Sequence, residues 1–336
     1  MTEKRKEKLF LQGNEAVVLG ALQAKIGLYT GYPITPASEI MHGIARTEVP
    51  FFQAEDEIAA ILSLYGASMT GAKAMTATSG PGFNLMQEGI GFGHRTEIPA
   101  VIIDVQRVGP GTGMPTRASQ GDIFASCVGS AGDFFPIVFS PNSPQEAYEF
   151  TIHSFNAAEE SLSPVIMLLD AYIGHGYETV MKKEIPLKTR KQFLTKTRHF
   201  TSLVAEDGIP KTTDRLAYRR VTKRLKEKQL SVAKHYNFYD YHENKKSDTL
   251  VISFGSLSRA VAAFKDKFSL FRPIRLFPII EQLKTISKKY KKIIVAEMNE
   301  GQYATLLESF LKREVKRVPI TGGEIRLAEV RKALLK

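Results

Sequence analysis

A single cysteine, Cys127, occurs in 336 residues. That excludes a disulfide within the chain. It also excludes an iron–sulfur cluster held by this chain's thiolates alone, since such clusters take about four cysteines. Cys127 itself reads as a small buried hydrophobe. Also missing is any apolar run of about 18 residues or more, so no membrane-spanning helix is expected. Residues 1–8 are charged and lack the apolar core of a secretory signal, so the expected compartment is cytoplasmic. No zinc-finger spacing, RNA-binding sheet motif or recognition helix occurs, and nucleic acid is not an expected partner.

What is present is an ordinary globular composition, 43% hydrophobic and 24% charged, on a chain long enough for two domains. From residue 13 to about 170, helical and extended stretches alternate. Extended segments are expected at 27–31, 51–53, 74–78, 100–105 and 165–169, and helices at 14–24, 37–46, 57–68 and 85–93. The later strands are continuously apolar, as strands covered on both faces are, and the alternation indicates βαβ units around a parallel sheet. Residues 182–246 break this rhythm and read as a basic linker with surface helices, the clearest at 215–228. A second α/β unit follows, with strands at 249–256 and 293–297 and helices at 259–268 and 303–313. The expected organisation is therefore 9–181, 182–246 and 247–336. The net charge of +11 is concentrated in residues 182–228, where 15 Lys/Arg face 5 Asp/Glu. Such a stripe is a solvated face or a dock for an acidic partner.

Tyr32-Pro33-Ile34-Thr35-Pro36 follows the first strand. Two prolines fix two φ angles and remove two donors, which makes a stiff elbow with Thr35 on it. A rigid turn at the carboxyl end of a strand is where open α/β sheets hold ligands. Next comes Gln53-Ala54-Glu55-Asp56-Glu57, with three acids at a helix start favoured by the macrodipole. Behind them Ala59, Ala60, Ser63, Gly66 and Ala67 are small enough to let a backbone or cofactor approach. Ser79-Gly80-Pro81-Gly82 is glycine-rich but lacks the Lys-Ser/Thr of a phosphate-binding loop, and it reads as a turn. Arg107 leaves the end of the strand beginning at 100, and His94 reads as structural.

These pieces, in order, resemble the alpha subunit of the thiamine diphosphate-dependent 2-oxoacid:ferredoxin oxidoreductases. The match runs from Gly13-Asn14-Glu15-Ala16 through the elbow, Gln53 to Ala60, Met75 to Gly82 and Gln106-Arg107 to Gln120-Gly121-Asp122. Glu297-Met298-Asn299-Glu300-Gly301-Gln302 resembles the family's second domain. Gly111-Thr112-Gly113-Met114-Pro115-Thr116 looks most like the 2-oxoglutarate branch, with the pyruvate, branched-chain and indolepyruvate branches as alternatives. A non-catalytic interaction subunit docking an acidic partner is the alternative outside the enzyme class. Where the family reads His-Gly-Asp, this chain has Ala131-Gly132-Asp133.

The resemblance implies a pyrimidine-binding domain followed by a smaller transketolase C-terminal-like domain. Glu57 would hydrogen-bond the cofactor's N1′ and promote the tautomer that takes the thiazolium proton, in preference to Glu55 or Asp56. Tyr32, Pro33, Ile34, Ser79, Gly80 and Pro81 would contact the cofactor. Thr35, Arg107 and Arg117 would bind the 2-oxoacid, Arg117 through a distal carboxylate. No metal ligand is assigned to this chain. Mg²⁺, the diphosphate and a [4Fe–4S] cluster would sit on a beta subunit, with coenzyme A as cosubstrate, ferredoxin as acceptor, and gamma and delta subunits as further partners.

Overall fold

The computed structural model describes residues 8–190 and 201–335; the basic residues at 191–200 and the charged start at 1–7 lie outside the described residues. The main sheet runs, from one edge, Arg275–Phe277, Ile137–Phe139, Pro164–Asp170, Ala100–Val108, Ala74–Thr78, Leu28–Gly31 and Phe51–Gln53. All neighbours on this path are parallel except the first pair. The chain leaves Leu28–Gly31 toward the edge strand Phe51–Gln53, then returns to add Ala74–Thr78 on the opposite side. That reversal is a topological switch point, and ligands of open α/β sheets lie outside the carboxyl ends of strands there.

A second sheet has the order Tyr239–His242, Ser269–Pro273, Thr249–Ser253, Lys292–Glu297, Lys316–Pro319. The last four strands of this order are parallel, and the apolar runs 250–252 and 293–295 are buried, as two-sided cover requires. One core joins both sheets: Ile102 and Ile166 share a cluster with Leu250, Phe254, Phe271 and Tyr303. Among the described residues no helix is long and apolar enough to cross a membrane.

Several local expectations differ from the structure. The strand Tyr239–His242 falls inside the stretch read as linker, yet it pairs antiparallel with Ser269–Pro273. Arg275–Phe277 crosses back to pair with Ile137–Phe139 of the main sheet. The expected helix 259–268 is instead Gly255–Ala262. Gly255 sets that earlier start: its φ is +54°, and a Cβ there would lie 2.5 Å from Gln120 Nε2. Ser79-Gly80-Pro81-Gly82 is not an open turn but the start of a short helix, Gly80–Leu85, with Ser79 at its cap and proline in its first turn.

The basic segment is also more than a solvated face. The helix Arg215–His235 buries Ala217, Val221, Leu225, Val232 and Ala233. Arg224 donates two hydrogen bonds to Glu97, at 2.9 and 2.8 Å, and Lys228 reaches the same carboxylate. Burial opposes ionisation of Glu97, but these two cations hold its carboxyl down at about 2. Arg190 forms an ion pair with Glu159, the side chains only 5% and 3% exposed, and donates to the carbonyls of Ser68 and Ala72. Removing one partner of a buried pair strands the other charge. Arg190→Ala is therefore expected to cost about 3–5 kcal/mol of stability, measured by urea unfolding. Pairing it with Glu159→Leu should recover much of that loss.

Candidate functional site at the carboxyl edge of the main sheet

Four consecutive strand ends converge at the switch point. After Leu28–Gly31 comes the elbow. Its Tyr32, Pro33 and Thr35 are exposed, Ile34 is half-buried, and the Thr35–Pro36 peptide is cis. Asn14, fully buried, holds the elbow from the first helix by donating to the Pro36 carbonyl at 2.9 Å and to Glu39 at 3.1 Å. Gly13-Asn14 therefore belongs to the elbow's support, a contact between residues 22 positions apart.

After Phe51–Gln53 the three acids part company. Glu55 is exposed, while Asp56 caps the helix Glu57–Met69 by accepting from the Ala59 N–H at 2.7 Å. Glu57 alone is turned inward and is 5% exposed. Burial raises its carboxyl above the ordinary glutamate range, its own backbone N–H opposes this, Asp56 adds to it and Arg107 counters it. The Glu57 carboxylate lies against Gly82, where a Cβ would stand 2.2 Å from Oε1 and 2.3 Å from Thr78 Oγ1. Glycine is required here by close approach.

After Ala74–Thr78, Ser79 Oγ is fully buried with no partner among the described residues. After Ala100–Val108, Arg107 is 8% exposed and donates from Nη1 to the Thr35 carbonyl at 2.7 Å. The structure thus joins Thr35 to Arg107 directly and brings Glu57 close enough to feel Arg107's charge. Arg107 also lines a cavity of about 570 Å³ together with Asp122, Phe124, Asn299 and Gln302. Arg117 is placed differently. It lies on the strand Met114–Ala118, half-exposed, with its guanidinium 2.8 Å from Glu324. It borders a separate cavity with Tyr172 and His175, and Gly323 lines both.

Residues to which the sequence assigned no role complete the edge. Gln120 ties the two sheets together: its amide donates to Phe254 O at 2.9 Å and its oxygen accepts from Met298 N at 3.0 Å. Asn299 donates to Gln120 O and Gln302 to Gly121 O, each at 2.6 Å. Glu297 accepts from the N–H groups of Tyr303 and Ala304, both at 2.9 Å, and so fixes the start of the next helix. The two matched motifs, around 120 and 299, are therefore one clamp.

The carboxyl edge of the parallel sheet thus combines a buried glutamate, a glycine-only close approach and a buried hydroxyl without a partner among the described residues. Residues 19–242 match the model of the pyruvate flavodoxin/ferredoxin oxidoreductase thiamine-diphosphate-binding family, and the chain belongs to that family. It is 38% identical to the 2-oxoglutarate synthase subunit KorA of Methanocaldococcus jannaschii over 97% of this chain and 99% of that one. A structure of 2-oxoglutarate:ferredoxin oxidoreductase from Magnetococcus marinus, with 2-oxoglutarate, coenzyme A and succinyl-CoA bound, superposes with a TM-score of 0.89 at 28% identity. It covers 99% of this chain and 66% of that longer one. A split-gene transketolase shares the fold alone, with a TM-score of 0.56 at 11% identity over 96% of this chain and 95% of that one.

Proposed function

We propose that this chain is the alpha-type subunit of a 2-oxoacid:ferredoxin oxidoreductase acting on 2-oxoglutarate, with a thiamine diphosphate site shared with a beta subunit. The observation that carries this reading is the meeting of Glu57, Thr35 and Arg107 at one switch point, on a fold shared with an enzyme of that activity. The residues fit the aminopyrimidine half of the cofactor. A buried carboxyl faces a glycine that leaves no room for a side chain, and Ser79 offers an unpartnered hydroxyl. When bound, thiamine diphosphate supplies the carbon nucleophile and electron sink for cleaving the bond to the departing carboxylate.

Glu57 would hold the proton at N1′. A carboxyl raised above its ordinary range by burial suits that exchange, whereas an amide could only position the ring. Tyr32, Pro33, Ile34, Gly80 and Pro81 would wall the pyrimidine. The Thr35 hydroxyl would hydrogen-bond the 2-oxo group, and Arg107 would pair with the adjacent carboxylate through donors left after its bond to the Thr35 carbonyl. Asn14 and the clamp through Gln120 hold these groups in place without touching substrate. A distal carboxylate would reach Arg117 only by competing with Glu324. The beta subunit would supply the diphosphate and Mg²⁺ site and a [4Fe–4S] cluster. Coenzyme A would take the acyl group, and ferredoxin the two electrons.

The chain assembled with its partner should turn over 2-oxoglutarate in preference to pyruvate or 2-oxoisovalerate, and the chain alone should turn over none. Arg107→Ala should raise KM for each of these acids by about 10-fold or more with a smaller change in kcat. Unchanged KM would remove Arg107 from the substrate contact. Equal turnover of all three acids would remove the 2-oxoglutarate assignment.

A further inference from the structure

Asp104 and Asp122 face each other beneath the site. Asp104 lies midway along the strand Ala100–Val108, beside Thr78, fully buried, and neither of its oxygens meets an N–H or O–H donor among the described residues. Asp122 Oδ2 is likewise without one. The two carboxyl groups are within hydrogen-bonding reach of each other. Asp122 also rests on Gly80, where a Cβ would lie 3.0 Å from its Oδ1. Its backbone N–H donates to Gln106 Oε1 at 3.2 Å, and the preceding residue, Gly121, is held by Gln302. Two carboxylates in contact, one fully buried and the other part-buried with an oxygen lacking any other donor, cannot both be ionised. One proton between them makes one acid the other's donor, which satisfies oxygens that would otherwise be orphaned.

We propose that Asp104 and Asp122 share a single proton and that Asp122, as a positioning residue, competes with the substrate carboxylate for Arg107. This rests on reading Arg107 as the substrate anchor. Arg107 acts on Asp122 and projects from the same strand as Asp104; its Nε is buried with no partner among the described residues. Burial pushes Asp122 up to about 6, with Asp104 and Arg107 opposing that rise, and burial and Asp122 raise Asp104 well above the ordinary aspartate range. The other charged groups facing this centre are Glu57, which acts on Arg107, and Glu300, which lines the cavity. Gly80, Asn299 and Gln302 are neutral, and Glu297 is directed at the N–H groups of Tyr303 and Ala304.

The sign follows from the charges. Above pH about 6 Asp122 is ionised and partly satisfies Arg107; below it the second proton neutralises the pair and leaves Arg107's charge to the substrate. KM for the 2-oxoacid should therefore fall as pH drops through about 6. Asp122→Asn removes the competitor, so KM should sit about three-fold or more below wild type at pH 7.5 and lose its pH dependence. Asp104→Asn puts an amide donor where the neutral Asp104 carboxyl stood, so Asp122 still takes up its proton near pH 6 and KM should keep the wild-type pH dependence. A pH dependence of KM that is lost in Asp122→Asn and kept in Asp104→Asn is the supporting result. A parallel loss of kcat in both variants, with KM unmoved, would reduce the pair to a structural contact and overturn the proposal.

A second reading needs no cofactor. Infrared spectra of the full chain at pH 7.5 should contain the carbonyl stretch of a protonated carboxyl group that is lost in Asp104→Asn and kept in Glu57→Gln, and a spectrum unchanged by Asp104→Asn would also overturn the proposal. If Arg107→Ala leaves KM unchanged while the band is present, the anchor reading fails and the shared proton stands.

Discussion

Glu57→Gln is expected to lower turnover of the assembled enzyme by about 10²- to 10⁴-fold, the range over which a positioned acid–base group contributes. The substitution is nearly isosteric. Burial already raises the Glu57 carboxyl toward its neutral form, so a neutral amide in the same space should leave thermal unfolding within about 2 °C of wild type. The neighbouring acids are the controls. Glu55 is exposed, and its change to Gln should leave turnover close to wild type. Asp56 caps the helix that carries Glu57, so Asp56→Ala should cost about 1 kcal/mol of stability and reduce turnover far less than Glu57→Gln. Steady-state kinetics and calorimetry on all three variants separate these outcomes. Equal losses for Glu55 and Glu57 would remove the special status of the buried carboxylate.

Gly82→Ala should be nearly as damaging by a different route. Its Cβ would stand 2.2 Å from Glu57 Oε1, 2.4 Å from Glu57 Cδ and 2.3 Å from Thr78 Oγ1, well inside contact distance. Either the carboxylate or the short helix Gly80–Leu85 must move. Overpacking of this kind costs about 1–3 kcal/mol in stability. The displaced carboxylate should also weaken thiamine diphosphate binding to the complex by about 10-fold or more, measured by titration calorimetry. An alanine variant that binds with wild-type affinity would mean that Glu57 has another resting place at the site.

How much of this was legible in the sequence depended on whether the determinant was local. The parallel strands and the elbow follow from short-range signals, apolar runs and proline geometry, whereas the choice of Glu57 over its neighbours came from the family resemblance. The structure gives Asp56 the cap and Glu57 the interior, which is what the phase of the helix demands. Pairings between distant segments were not legible. The strands Tyr239–His242 and Arg275–Phe277 are short, and each is defined by its neighbour in a sheet rather than by its own periodicity. The basic run looked solvated because Glu97, Glu159 and Glu160, which pair with Arg224, Arg190 and Lys188, lie far away in sequence.

The same limit applied within the site. Gln120, Asn299 and Gln302 stood inside matched motifs, but their joint role as a clamp appears only when residues 178–181 positions apart are brought together. Asp104 sat in an apolar strand run and carried one usable signal, an acid where two-sided burial predicts none. Arg117 shows the converse. Its position in a conspicuous loop suggested a substrate contact, while the fold turns it to Glu324.

The most direct measurement is exchange of the thiazolium C2 proton of thiamine diphosphate for deuterium, followed by NMR after acid quench of the assembled complex. With wild-type chain, exchange should run far faster than for free cofactor. With Glu57→Gln it should slow by about 10²-fold or more, and with Glu55→Gln it should not change. Rapid exchange in the Glu57→Gln complex would contradict the assignment of this chain's buried carboxylate as the activating group.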